Sequence, residues 1–337
     1  MWQCNRPSTI AVNRPLVRLA DSKVRFQRWD MFWSPKDIWV GRSLSGLSAG
    51  AGGDAAFRLF CMPELSFYRA PNHQQLTARA RFHLRRADWQ RIKTPVADIQ
   101  AYIFDPDCRK PLGTVLVVHG WTGEASFMTA IAEPIRRAGY RVVLFDLPAH
   151  GLSGERSTNL IECARATAII GRHFGPLSAI VAHSFGGMIS LVAVEGHAPM
   201  PHALEAPRVV LVASPNRLSQ VTGEFGEHWG LDSAGRRAFE ARLERVSGRP
   251  LSCFTIVKLL RATCCEALVV HDREDREVSF DCAEEIASET ENSELLTYSG
   301  FGHRNILFAP PVARMIVSYL LRANDSAEQR AYTVSAA

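Results

Sequence analysis

After Pro95 the chain alternates short apolar runs rich in Val, Ile and Leu with longer stretches of helical periodicity, and no other feature narrows its fold as much. The short runs are 99–104, 114–119, 141–145, 179–183, 209–213, 267–271 and 294–298. Helical spacing covers 126–138, 159–174, 185–195, 282–288 and 311–322. A run such as Thr-Val-Leu-Val-Val at 114–118 offers no polar face, so its strand must be covered on both sides. The pattern predicts an open, doubly wound, mostly parallel α/β sheet flanked by helices.

Between Pro215 and Ala262 the alternation breaks, and helical hints at 236–246 mark an insertion, or cap, over the carboxyl edge of the sheet. The main domain is expected over 95–325 with the cap at about 215–262, followed by a flexible tail at 326–337. Upstream, the apolar spacing of Leu76, Ala80, Leu84 and Ala87 predicts that 55–94 is helical and packs on the domain. Residues 41–53 hold five Gly and three Ser, which reads as a linker ending a basic extension over 1–54. Trp29, Phe32, Trp33 and Trp39 in that extension follow no sustained period.

Charge is unevenly distributed. Residues 1–93 hold 16 Lys/Arg against 6 Asp/Glu, whereas 94–337 hold 23 against 28. The arginines are scattered among Trp, Phe and Leu and form no tract, so nucleic-acid binding is not expected. Two readings of the basic segment stay open: helices packed on the domain, or a docking element for an acidic partner or membrane surface. Without an apolar run of about 18 residues, stable membrane insertion is not expected. Eight cysteines without a C-x-x-C pair fit reduced thiols, and the cytoplasm is the simplest compartment.

Chemistry concentrates at the ends of the apolar runs. Ala182-His183-Ser184-Phe185-Gly186-Gly187 joins the run at 179–183 to a helix. A serine on such a sharp turn needs small residues two positions to either side, here Ala182 and Gly186, and the following helix supplies free N–H groups. Three further clusters follow runs: Val118-His119-Gly120-Trp121, Asp272-Arg273-Glu274-Asp275-Arg276-Glu277-Val278 and Gly300-Phe301-Gly302-His303. A fourth, Phe145-Asp146-Leu147-Pro148-Ala149-His150-Gly151-Leu152-Ser153, is read as a structural brace.

With these motifs in this order, the chain resembles the α/β-hydrolase superfamily over roughly 98–323. The likeness is to small soluble bacterial-type carboxylesterases, with the monoglyceride-lipase and serine-aminopeptidase-like branches close by. Its elbow reads A-x-S-x-G where the family more often has G-x-S-x-G, and Ala149 stands where the brace usually has Gly. The resemblance implies a catalytic triad of Ser184 as nucleophile, Asp275 as acid and His303 as general base, with Asp272 the alternative acid. It implies oxyanion-hole amides from Trp121 and Phe185, and acyl-pocket walls on the cap from Phe225, Trp229, Leu231 and Phe254, with His228 nearby.

The expected activity is hydrolysis of a carboxylic ester on a small-molecule acyl substrate, with no cofactor. Thioester, amide or carbon–carbon bonds, acyl transfer, and a non-catalytic binding role stay open as alternatives. A metal site shared by His119, His150, His183, His271 and His303 is not expected, because no ligand spacing such as H-E-x-x-H accompanies them. Cys163 and Cys265 have no elbow and are read as buried thiols.

Overall fold

A computed structural model of the protein describes residue 44, residues 48–66 and residues 73–335. Trp29, Phe32, Trp33 and Trp39, and most of the basic extension, lie outside the described residues.

Eight strands form one sheet: β1 (Asp88–Lys93), β2 (Asp98–Phe104), β3 (Thr114–Val118), β4 (Arg141–Phe145), β5 (Leu177–His183), β6 (Arg208–Val212), β7 (Glu266–Asp272) and β8 (Ser293–Tyr298). Their order is β1-β2-β4-β3-β5-β6-β7-β8, with β1 and β2 antiparallel and the other six parallel.

The helices follow the alternation. They are α1 (Ala49–Phe60), α2 (His73–Leu84), α3 (Thr129–Arg137), α4 (Leu160–Phe174), α5 (Phe185–Glu195), α6 (Leu218–His228), α7 (Ser233–Ser247), α8 (Ile256–Arg261), α9 (Asp281–Glu289), α10 (Gly302–Asn305) and α11 (Pro310–Ser335). Local chemistry fixes several of their starts. Asn159 caps α4 by accepting from the Ile161 and Glu162 amides, each at 3.0 Å, and Thr255 caps α8 by accepting from Lys258.

Successive strand residues face opposite layers. Leu116, Val118, Val143, Phe145, Ile180 and Ala182 pack with α4 and α5, while Val115, Val117, Val142, Leu144 and Val181 pack with α3 and α11. Every one of these side chains is buried, and full burial of a Val or Leu side chain is worth roughly 1.5–3 kcal/mol, so a one-residue register slip is strongly disfavoured.

Four boundaries differ from the sequence expectations. The Gly/Ser run does not end as a linker, because 49–53 begin α1. Ser48 caps the helix, and Gly52 and Gly53 are buried where α1 crosses α7. A Cβ on Gly53 would lie 2.6 Å from the Ala238 Cβ, so only glycine allows this approach. Residues 88–93 are not helical but form the edge strand β1, whose Trp89 indole donates to the Leu84 carbonyl at 2.8 Å. The cap is narrower than 215–262. Leu218 N–H donates to Phe254 O and Ile256 N–H to Asn216 O, a neck that closes the excursion, and α8 packs back on α5 as part of the main layer. Helix α11 runs through 326–335, where a tail was expected.

No helix among the described residues is long and apolar enough to cross a membrane.

Candidate active site

Ser184, Asp275 and His303 come together at the carboxyl ends of the parallel strands, where open α/β sheets hold their ligands. Ser184 sits between β5 and α5 with φ +52° and ψ −129°, a backbone that L-residues rarely adopt. Its amide donates to Val212 O at 2.8 Å, which ties the turn to β6. Gly186 is required by contact: a Cβ there would lie 2.5 Å from the His119 carbonyl oxygen. Ala182, fully buried, occupies the other small position without conflict.

His303, on α10 after β8, points Nε2 at Ser184 Oγ, 3.1 Å away, and Nδ1 at Asp275 Oδ2, 2.8 Å away. The Asp275 side chain is fully buried in the loop after β7. Its Oδ1 accepts from the Glu277 and Val278 amides at 2.8 and 2.9 Å. His271 Nε2 lies 3.1 Å from Val278 O and 3.4 Å from Asp275 Oδ2. Burial alone would raise the Asp275 pKa, but the hydrogen bonds from His271, His303 and Val278 outweigh it and hold the group well below the usual carboxylate range. An ionised acid therefore stands behind the imidazole.

Asp272, the alternative acid, does not reach His303. Its two oxygens accept from the Glu274 and Phe301 amides, each at 2.8 Å, so it braces the acid loop against the loop that carries His303. Asp146 is likewise structural, accepting from Tyr102 Oη, Ala125 N and Leu152 N at 2.8, 2.8 and 2.9 Å. Within that brace Ala149 takes a left-handed φ of +62°, the conformation that favours glycine.

The remaining histidines have separate duties. His119 Nδ1–H donates to Gly120 O at 2.8 Å, and its Nε2 accepts from Leu147 N–H at 3.0 Å, which fixes a neutral tautomer. Burial lowers its pKa. His183 Nε2–H donates to the His303 carbonyl at 2.9 Å, and burial together with the His303 charge pulls its pKa down to about 3. His271 serves Asp275, and the His150 ring packs against Trp121 at 5.2 Å. Among the described residues no three His, Cys, Asp or Glu side chains are grouped to hold a metal ion. Burial pushes the Cys163 thiol up to about 12 and raises that of Cys265.

A cavity of about 900 Å³ opens on Ser184 and His303. Trp121 and Phe185 line it, their rings 5.7 Å apart. The Gly120 turn passes so close to Ser184 that a Cβ on Gly120 would lie 2.9 Å from the Ser184 Cβ. Phe185 opens α5, so its N–H has no preceding turn of its own helix to bond.

Of the four wall residues expected on the cap, Phe225 lines the cavity and the other three do not. Trp229 is buried behind Phe225, 6.1 Å between ring centroids. Leu231 packs against the core with its amide on Gly226 O. Phe254 is wholly buried at the neck, under the Arg249 guanidinium. Periodicity marks these positions as apolar but does not separate cavity from core.

Sequence reasoning missed the walls that come from upstream of the main domain. Phe60 at the end of α1 lines the cavity, stacked on Trp121 at 5.9 Å and edge-on to Phe225 at 5.1 Å. Arg79, His83 and Arg86 line it from α2 and just beyond. The usable signal was the spacing of Gly52, Gly53, Ala56 and Phe60, one narrow face of a helix.

The model of the Alpha/beta hydrolase family matches residues 115–336. No curated protein matches the chain in sequence. Among solved structures, Est1E from Butyrivibrio proteoclasticus with ferulic acid bound superposes with a TM-score of 0.56 at 16% identity, covering 72% of this chain and 99% of that one. A thermophilic esterase from Thermogutta terrifontis with butyrate bound gives 0.55 at 18%, covering 71% and 95%. The thioesterase domain from the curacin biosynthetic pathway gives 0.50 at 17%, covering 70% and 99%. At these identities the likeness is one of fold.

Proposed function

Since the chain belongs to the alpha/beta hydrolase family, we propose that it is a serine hydrolase acting on carboxylic esters through a covalent acyl-enzyme. The observation that carries this reading is the chain of contacts from Ser184 Oγ to His303 Nε2, 3.1 Å, and from His303 Nδ1 to the buried Asp275 carboxylate, 2.8 Å.

Ser184 Oγ attacks the ester carbonyl carbon while His303 Nε2 takes its proton. Asp275 keeps the remaining ring proton on Nδ1 and stabilises the imidazolium. The Trp121 and Phe185 amides donate to the oxygen that becomes negative, an interaction whose loss costs roughly 3–4 kcal/mol in hydrolases where one donor has been removed. His303 then protonates the departing alcohol oxygen. Water, deprotonated by His303, attacks the acyl-serine, and collapse of the second intermediate releases the acid and returns the proton to Ser184.

The strained φ of Ser184 supports this reading, because it holds the hydroxyl toward the cavity where an unstrained helix cap would turn it to the backbone. Esters are preferred to other acyl compounds because of the Thermogutta terrifontis esterase among the structural neighbours. The same groups serve a thioester equally well.

The test is hydrolysis of p-nitrophenyl esters from acetate to palmitate by the wild type and Ser184→Ala. Turnover by the wild type alone is expected. Equal turnover by both proteins would remove Ser184 from the chemistry.

A further inference from the structure

Resting on the ester-hydrolase reading, we infer that the outer part of the cavity takes an anionic group, carboxylate or phosphate, on the leaving-group side of the substrate, and that Arg79, Arg86 and Arg137 select it.

The two sides of Ser184 differ. On one, Phe60, Trp121, Phe185 and Phe225 make an aromatic wall suited to an acyl chain. On the other stands His303, which protonates the leaving group. The turn that follows it, 306–308, packs against α3, and α3 packs against α2. A leaving group departing past His303 therefore meets α2 and α3.

That side is basic. Arg79 and His83 lie four apart on one face of α2, Arg86 stands in the turn just after it, and all three line the cavity. Arg137 lines it from α3. The carboxylate among them is Glu133, 2.8 Å from Arg137 and 3.8 Å from Arg86, and it also binds Arg136 at 2.9 Å. Arg79 has no carboxylate partner among the described residues. The other acidic groups on the cavity are engaged elsewhere: Glu277 pairs with Arg304 at 2.9 Å, and Glu224 stands on the cap helix α6. One shared carboxylate leaves the guanidiniums in excess, and planar guanidinium groups suit the oxygens of a carboxylate or phosphate.

The family match begins at residue 115, whereas Arg79 and Arg86 precede it. Arg137 lies within that match, so Arg79 and Arg86 bring their charges from upstream of it to a cation already present on α3.

The experiment compares two esters with the same reacting bond, 4-butyryloxybenzoate and its methyl ester, and reads the ratio of their kcat/KM values. At low salt the wild type should favour the anion by roughly three- to tenfold, the scale of partly exposed ion pairs. The preference should shrink as ionic strength rises. The triple variant R79Q/R86Q/R137Q should bring the ratio to near parity, and R79K/R86K/R137K should retain a preference. A ratio near one in wild type at low salt, or one that salt leaves unchanged, overturns the inference without relying on any variant's folding. If neither ester is cleaved, the hydrolase reading fails, and calorimetry with the unreactive 4-butanamidobenzoate and its methyl ester decides the subsite. Salt-sensitive preference for the anion upholds it, and equal binding overturns it.

Discussion

The strand ends and the cavity walls are built on different principles. At the strand ends, Ser184, Asp275 and His303 come from three loops, each pinned by backbone hydrogen bonds and buried strands, so their separations are fixed to within a hydrogen bond. The walls come from α1, α2, α3 and the cap helix α6, held by aromatic contacts around Phe60 and by close packing at Gly53. A sheet edge can carry one chemistry while its walls vary, and changes in the two regions should therefore have separable effects.

The largest effect is expected at the strand ends. His303→Gln should lower kcat by about 10⁴-fold or more, the scale of removing one member of such a triad, with a thermal midpoint close to that of the wild type. A loss below tenfold would show that the imidazole is not the base.

The strand ends should also carry the pH sensitivity of the fold. His119 and His183 are buried and neutral, with burial lowering both pKa values, that of His183 to about 3. Below about pH 6.5 the unfolded chain binds protons that the folded chain refuses, so stability falls as the pH drops. Asp275 adds no pH dependence in this window, because a depressed carboxylate keeps its full contribution above its unfolded value and loses it only as the pH falls from there through its folded one. The His183 shift alone should make the urea unfolding free energy about 2 kcal/mol lower at pH 5 than at pH 7.5. Identical midpoints at the two pH values would mean that these rings are not held neutral.

In the walls, Gly53→Val should cost about 1–3 kcal/mol of stability, because the added carbons meet Ala238 and Phe239 across the α1–α7 crossing. Turnover of p-nitrophenyl acetate should change by less than about threefold, since no triad atom moves. The smallest effect is a redistribution: Phe225→Ala should shift the ester chain-length optimum to longer acyl groups by several-fold in kcat/KM. An unchanged optimum would take Phe225 out of the acyl wall.

The same division explains what the sequence made legible. The central strands are readable because burial on both faces forces an unbroken apolar run, as at 114–118 and 209–212. The Ser184 turn is readable because sterics admit only small residues at 182 and 186, and the resemblance to the family singles out Asp275 and His303 in the loops after β7 and β8. The walls obey no such rule. Gly52 and Gly53, which break helices when exposed, lie inside one because a second helix needs the room. Trp229 and Phe254 are as apolar as Phe225, and only the tertiary path of the cap sends them into the core. Residues 88–93 read as helical in the sequence because an edge strand, exposed on alternate residues, shows too little apolar alternation to declare itself.

Activation of the Ser184 hydroxyl can be read by reacting the folded protein with a fluorophosphonate and mapping the adduct by mass spectrometry. One adduct is expected, on the peptide containing Ser184, absent in Ser184→Ala and formed far more slowly in His303→Gln. An adduct on another residue, or none on a protein shown to be folded, would contradict it.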